Sequence, residues 1–117
     1  MSELVMVALL GGLGASIRFW LARYQGTLPW GILLANSVAA MIGATAIASQ
    51  GISHPVTVLL VAGLAGGLST FSTLISQTTE LWLNGEWANG WWNLVLNIIV
   101  PSTIALGIGI GVVALLK

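Results

Sequence analysis

The chain has 117 residues, of which 57% are hydrophobic and only 5% are charged, and its formal net charge is zero. A soluble domain carries about 25% charged residues, so this composition nearly excludes a globular fold in water. Nucleic-acid binding needs a basic patch to neutralise phosphates, and the chain has too few basic residues for one. It contains no Cys, one His and three carboxylates, which offer no support for an enzyme or a side-chain metal site. The mean hydropathy of +1.02 indicates that the solvent is a bilayer.

Four apolar stretches are each long enough for a transmembrane helix, which needs about 20 residues. They are predicted at residues 4–22, 30–49, 56–83 and 91–116, joined by short polar connections. The six Trp and the one Tyr prefer the membrane–water interface and fall near the predicted helix ends: Trp20, Tyr24, Trp30, Trp82, Trp87, Trp91 and Trp92. We therefore predict a single all-α unit over residues 1–117, a multi-pass membrane protein with four transmembrane helices.

The basic residues that orient a membrane protein are almost balanced. Arg18 and Arg23 fall on the side of the first and third connections, and Lys117 falls on the side of the termini. Because the excess of Lys and Arg sets the orientation, we expect the chain to insert in both directions.

A bundle of four short helices has little room for a solute pathway of its own, and its polar groups should face protein or water. The sequence therefore predicts an oligomer. Small residues recur at the four-residue spacing that lets helices approach closely: Gly11 and Ala15, Gly63 and Gly67, Gly107 and Gly111. The alternative is the general enrichment of Gly in membrane helices.

The third stretch carries the most informative pattern. Gly66 and Gly67 lie near its middle and disfavour a helix interior by about 1 kcal/mol each relative to Ala. Ser and Thr follow, and their side chains compete for backbone hydrogen bonds. We predict a broken helix, whose exposed carbonyls attract a cation and whose N–H groups attract an anion; a bent, tightly packed helix is the alternative. Hydroxyl residues beyond the break share one face that is expected to turn inward: Ser69, Ser72, Thr73, Ser76 and Thr79.

Polar residues also interrupt the other stretches. Asn36 lies in the middle of the second stretch. Its amide either donates to an ion in a pathway or forms a hydrogen bond between helices. Asn93 and Asn97 lie one turn apart in the fourth, which Pro101 is expected to kink. Arg18, in the last turn of the first, either snorkels to the interface or gives a vestibule a positive potential.

Three motifs together resemble the CrcB/Fluc family of fluoride channels, and the similarity covers the whole chain. Residues 11–19 (GGLGASIRF) are similar to the family's GGxxGAxxR opening, and residues 31–36 (GILLAN) to its second-helix GTLxxN. Residues 63–73 (GLAGGLSTFST) are similar to its third-helix GxxGGx[ST]TFSTF, the most specific of the three.

The resemblance implies an antiparallel, dual-topology homodimer with two pores and a structural sodium ion (Na+) at its centre. Backbone carbonyls of Gly66 and Ser69 correspond to the sodium ligands, and Arg18 corresponds to a vestibule arginine. The candidate residues for contact with fluoride in the pore are Asn36, Phe71, Ser72, Thr73, Leu74 and Asn97.

The chain departs from the family pattern at three positions. Leu74 stands where the family usually has a second Phe, Asn97 where the fourth helix often has an aromatic residue or His, and Gln77 where the third helix has a carboxylate. The expected function is a fluoride-selective channel that passively exports cytoplasmic fluoride and confers fluoride resistance. The alternative is a non-conducting or partner subunit of a heteromeric fluoride channel. A multidrug antiporter is disfavoured, because no carboxylate lies at mid-span.

Overall fold

The computed structural model describes residues 2–117, and within this range it contains helices and connections but no strand. The first two helices are α1 (Ser2–Leu21) and α2 (Trp30–Gln50). The third span consists of α3 (Pro55–Val58), a π-helical segment (Leu59–Ala65), α4 (Gly66–Leu68) and, after an interruption, α5 (Ser72–Leu83). The last helix is α6 (Trp87–Leu115).

Over the described residues, four helical spans are long and apolar enough to cross a membrane: Ser2–Leu21, Trp30–Gln50, Pro55–Leu83 and Trp87–Leu115. The prediction of an all-α chain with four spans is confirmed. The fourth helix begins at Trp87 rather than near residue 91, because the third connection turns within a few residues. Gly85 adopts φ +81° there, a left-handed conformation that glycine adopts without steric cost.

The predicted break in the third span lies at Ser69, Thr70 and Phe71, just after the glycine pair. Ser69 is extended, with φ −75° and ψ 153°, and helical hydrogen bonding resumes at Ser72. The alternative of a merely bent helix is therefore wrong. Gly66 and Gly67 are themselves helical. The interruption therefore occurs at the Ser and Thr residues that follow them in the sequence.

Glycines hold α1 tightly against the π-helical segment and α4. A Cβ added to Gly67 would collide with backbone atoms of Gly11, and one added to Gly14 would collide with the Leu64 carbonyl oxygen. A Cβ on Gly63 would lie 2.9 Å from the Cβ of Leu10. The first two small-residue pairs thus pack helices of the same chain against each other. The surfaces around them, which the sequence suggested for contacts between chains, are therefore already covered.

The substitution Gly67→Ala is expected to destabilise the chain by about 1–3 kcal/mol or more, because rigid backbone stands where the methyl group must go. Gly107→Ala is the matched control, since the described part of the chain has nothing within 4 Å of its added Cβ. Thermal unfolding in detergent measures both variants. Equal transition temperatures for Gly67→Ala and the wild type would contradict the close approach of these two helices.

The core of the single chain is small. It consists of Ala35, Ala39, Ala65 and Leu68, and Ile32 is also fully buried. Many large apolar side chains of all four spans are exposed, including Leu106 and Ile110 on α6. A surface of this kind is stable when lipid or a further protein covers it.

Candidate functional site

The helix break is closed by the side chain of Asn36 on α2. The Thr70 N–H donates to Asn36 Oδ1 at 2.8 Å, and Asn36 Nδ2 donates to the Thr70 carbonyl oxygen at 3.2 Å. The Thr73 N–H, in the first turn of α5, donates to Thr70 Oγ1 at 3.3 Å. A break at membrane depth leaves backbone groups that must find partners inside the protein. The Asn36 amide supplies both partners for Thr70.

Asn36 is also the first member of a chain of amide hydrogen bonds. Its Nδ2 donates to Asn97 Oδ1 at 2.9 Å. Asn97 Nδ2 donates to the Asn93 carbonyl oxygen at 2.9 Å and to Asn93 Oδ1 at 3.2 Å. Asn93 Nδ2 donates to Thr78 Oγ1 at 3.0 Å. We call Asn36, Asn97, Asn93 and Thr78 the amide chain; it connects α2, α6 and α5.

The amide chain decides between the two interpretations of Asn36 in the single chain. An amide has two donor hydrogens, and those of Asn36 are directed to Thr70 and Asn97. Asn36 is therefore an interhelical connector here, and contact with an anion requires it to exchange one of these bonds. Sequence reasoning missed Thr78, whose only signal is its position on the face of α5 opposite the exposed hydroxyls.

An open groove of about 450 Å³ runs beside the break. It brings together most of the candidate residues, including Asn36, Gly66, Ser69, Phe71, Leu74 and Asn97. The Phe71 side chain is 69% exposed. Ser72 and Thr73 do not line this groove: the first is exposed and the second is half-buried.

Leu74 is only 3% exposed and forms part of the groove wall. Leu74 and Thr78 are the buried positions of α5, which packs against α6. The expectation that the hydroxyl face turns inward is therefore wrong for the single chain, because α6 covers the opposite side. The exposed residues are Ser69, Ser72, Ser76 and Thr79. A membrane helix that exposes hydroxyl groups at its surface needs a polar or protein neighbour.

Arg18 reaches the break from α1. Its Nη1 donates to the Ser69 carbonyl oxygen at 3.3 Å, and the residue is half-buried. Arg18 therefore does more than snorkel toward the interface. It places a positive charge next to the break.

The backbone carbonyls at the break have the chemistry of a monovalent cation site. The Thr70 N–H, which would pair with the Gly66 carbonyl in an uninterrupted helix, points to Asn36 instead. The Ser69 carbonyl already attracts a guanidinium. Gly66 and Ser69 are both exposed, and both line the groove. Over residues 2–117 no group of three or more His, Asp or Glu side chains comes together. A sodium ion at the break would be held by the backbone oxygens of Gly66 and Ser69.

No Asp or Glu from the described residues lines the groove. Glu80 and Glu86 lie in a separate polar pocket of about 180 Å³, at the end of α5, together with Gln77. The groove thus combines hydroxyl, amide and aromatic groups with no fixed negative charge. Such a lining carries no fixed negative charge to repel an anion.

Comparisons with known proteins show the family of the chain. Residues 5–110 match a family model described as CrcB-like protein, Camphor Resistance (CrcB). The chain is 34% identical over 107 residues to the fluoride-specific ion channel FluC of Shewanella sediminis (strain HAW-EB3), with 84% of this chain and 86% of that protein covered. It is 34% identical over 103 residues to the protein of the same name from Clostridium perfringens (strain 13 / Type A), with 80% of each covered. This multi-pass membrane chain belongs to the CrcB-like family of fluoride-channel proteins.

Proposed function

We propose that the chain is a fluoride-selective channel of the cell (inner) membrane that passively exports cytoplasmic fluoride. The observation that carries the proposal is the groove at the break of the third span. It contains Phe71, Asn36 and the break itself, and no carboxylate of residues 2–117 lines it. Passive flow suits a pathway of weak dipoles, from which a bound ion leaves again.

Fluoride is a small anion that holds its water tightly, so a narrow pore must offer donors in place of that water. Asn36 supplies an amide hydrogen when it exchanges its bond to Thr70 or to Asn97, and Ser72 and Thr73 offer hydroxyls beyond the break. The edge of an aromatic ring carries partial positive charge, and Phe71 lines the groove with a ring that is largely exposed. Arg18 gives the vestibule a positive potential that attracts anions.

We further propose that two copies pair as an antiparallel homodimer and complete two pores. The exposed hydroxyl face of α5 and the open groove need a cover, and a second copy offers the same surface by two-fold symmetry. The near-balance of Arg18, Arg23 and Lys117 is compatible with insertion in both directions. Because the chain has no Cys, Lys117→Cys can be labelled in cells; labelling from one side only would contradict dual topology.

A sodium ion at the centre of this dimer is part of the proposal. Each chain would contribute the carbonyl oxygens of Gly66 and Ser69, so that the two copies together surround the ion. Its role is structural: it holds the two broken helices together through backbone oxygen atoms. Arg18 must then share the Ser69 carbonyl or release it.

The deciding experiment is fluoride efflux from liposomes that contain only this purified chain, with chloride efflux as the comparison. We expect fast, ATP-independent fluoride efflux and little chloride loss, from protein that cross-links as a dimer. Preparation with N-methylglucamine, which is too large for a carbonyl cage, is expected to lower efflux until sodium is restored.

Liposomes without protein give the background leak. Leu74 stands at a position where the family usually has Phe, and this departure favours one alternative, a partner subunit that does not conduct alone. A well-folded dimer that releases no fluoride would overturn self-sufficient conduction and support that alternative. Equal fluoride and chloride efflux would overturn selectivity.

A further inference from the structure

We propose that Thr78 and Asn93 are positioning residues of the pathway, although neither reaches the groove. Through Asn97 they orient the Asn36 amide that closes the helix break, and they thereby set the shape of the groove wall. This inference rests on the proposed channel function. The observation behind it is the series of side-chain hydrogen bonds that leads from Thr78 through Asn93 Oδ1, Asn97 and Asn36 to the Thr70 N–H.

The orientation of Asn97 is fixed from its Asn93 end. Its Nδ2 meets two acceptors there, the carbonyl oxygen and the Oδ1 of Asn93, at 2.9 and 3.2 Å. An Asn97 amide rotated by half a turn would bring its oxygen against these two oxygens, which repel it. Asn97 Oδ1 therefore faces Asn36, where it accepts from Nδ2.

The donor-to-acceptor direction set at Asn97 also determines how the Asn36 amide meets the break. Because Asn36 Nδ2 faces Asn97, the Asn36 oxygen is turned toward the N–H of Thr70. An amide with the opposite orientation would place an N–H group against another N–H group at Thr70. The conformation of the break is thus selected by a hydrogen-bond direction that originates on α6.

Thr78 holds the far end of this series. Its Oγ1 accepts from Asn93 Nδ2 at 3.0 Å, and the two residues are 1% and 2% exposed. At this burial no water is at hand to replace a lost partner, so removing the hydroxyl leaves the Asn93 amide unsatisfied and free to turn. A buried network is sensitive in this way because each member fixes the next one.

The test compares three variants of the full chain. Thr78→Val keeps the shape of the side chain and removes the hydroxyl, and Thr78→Ser restores a hydroxyl. Thr103→Val removes an exposed hydroxyl of α6 that donates only to the Ile99 carbonyl oxygen of its own helix and does not line the groove. Fluoride efflux from liposomes is one readout. The second is the NMR signal of the Asn36 side-chain amide in detergent micelles, which reports its hydrogen bonds without any transport.

Thr78→Val is expected to lower fluoride efflux by about tenfold, the equivalent of one unsatisfied buried group, and to shift the Asn36 amide signal. Thr78→Ser is expected to restore both readouts, and Thr103→Val is expected to change neither. A folded Thr78→Val dimer with unchanged efflux and an unshifted Asn36 signal would overturn the inference. Lowered efflux without a shift at Asn36 would overturn it too, because the effect would then be structural only.

Hydrogen–deuterium exchange of the wild-type side-chain amides tests the inference even where Thr78→Val does not fold. Slow exchange is expected together at Asn36, Asn93 and Asn97, and fast exchange at Asn93 beside a protected Asn36 would contradict the link. The two readouts also distinguish a failure of the proposed channel function from a failure of the positioning inference. A wild type without fluoride efflux refutes the proposed function, whereas a shift at Asn36 in Thr78→Val still supports the positioning of the break.

Discussion

Asn36→Ala is expected to reduce fluoride efflux by at least about tenfold and to lower the stability of the chain. Alanine leaves both the N–H and the carbonyl oxygen of Thr70 without the partners that Asn36 supplies. Each unsatisfied buried group costs about 1–3 kcal/mol, and 1.4 kcal/mol corresponds to a tenfold change. The loss of an amide donor for fluoride adds to the effect. Liposome efflux measures the first consequence, and thermal unfolding in detergent measures the second.

Ser37→Ala is the matched control on the next residue of α2. Ser37 is 8% exposed, and its Oγ has no hydrogen-bond partner among residues 2–117. Removing this hydroxyl is expected to leave efflux unchanged and not to lower stability. Wild-type efflux in Asn36→Ala would refute the assignment of Asn36 to the pathway, and an equal loss in both variants would show that α2 is simply intolerant of substitution.

Phe71→Ile is expected to abolish most fluoride efflux while the chain remains folded and dimeric. The substitution keeps an apolar side chain at the groove and removes the positively polarised ring edge. The ring is 69% exposed in the single chain, so little packing within the chain is lost. Phe71→Ile thus differs from Asn36→Ala, which also weakens the fold. Efflux from liposomes and size-exclusion profiles of the same preparation are the measurements.

Phe19→Ile provides the control, since the chain has only two Phe and the second is also largely exposed. Phe19 lies on α1, where the guanidinium carbon of Arg23 is 5.0 Å from its ring centroid, and it does not line the groove. Its replacement is expected to leave efflux intact. Unchanged efflux in Phe71→Ile would show that fluoride does not need this ring.

The position of the break was predictable from the sequence, and its closure was not. Gly66 and Gly67, followed by Ser and Thr, disfavour a continuous helix through local propensities alone. The partner that satisfies Thr70 is separated from it by 34 residues along the chain. Nothing local marks Asn36 as that partner rather than as a free donor, because an isolated amide in an apolar helix suits both roles.

The faces of α5 show the same division. Hydroxyl spacing correctly groups Ser72, Ser76 and Thr79 on the exposed side of α5, because helical periodicity is a property of the backbone. Of the other two residues predicted on this face, Thr73 is half-buried and Ser69 lies in the break, outside the helix. Whether that side faces inward depends on where α6 lies. Since α6 covers Leu74 and Thr78, the hydroxyls are left exposed on the single chain.

Composition and periodicity by themselves determined that this is a four-span membrane chain with a broken third span, because hydropathy and helix propensity act along consecutive residues. Only the tertiary structure decided which polar groups meet. The Asn36–Asn97 bond joins residues 61 positions apart, and Thr78 acquires its importance solely from Asn93 on a neighbouring helix. The packing of helices against each other determines which buried polar groups form hydrogen bonds. That packing depends here on glycine contacts such as Gly67 against Gly11.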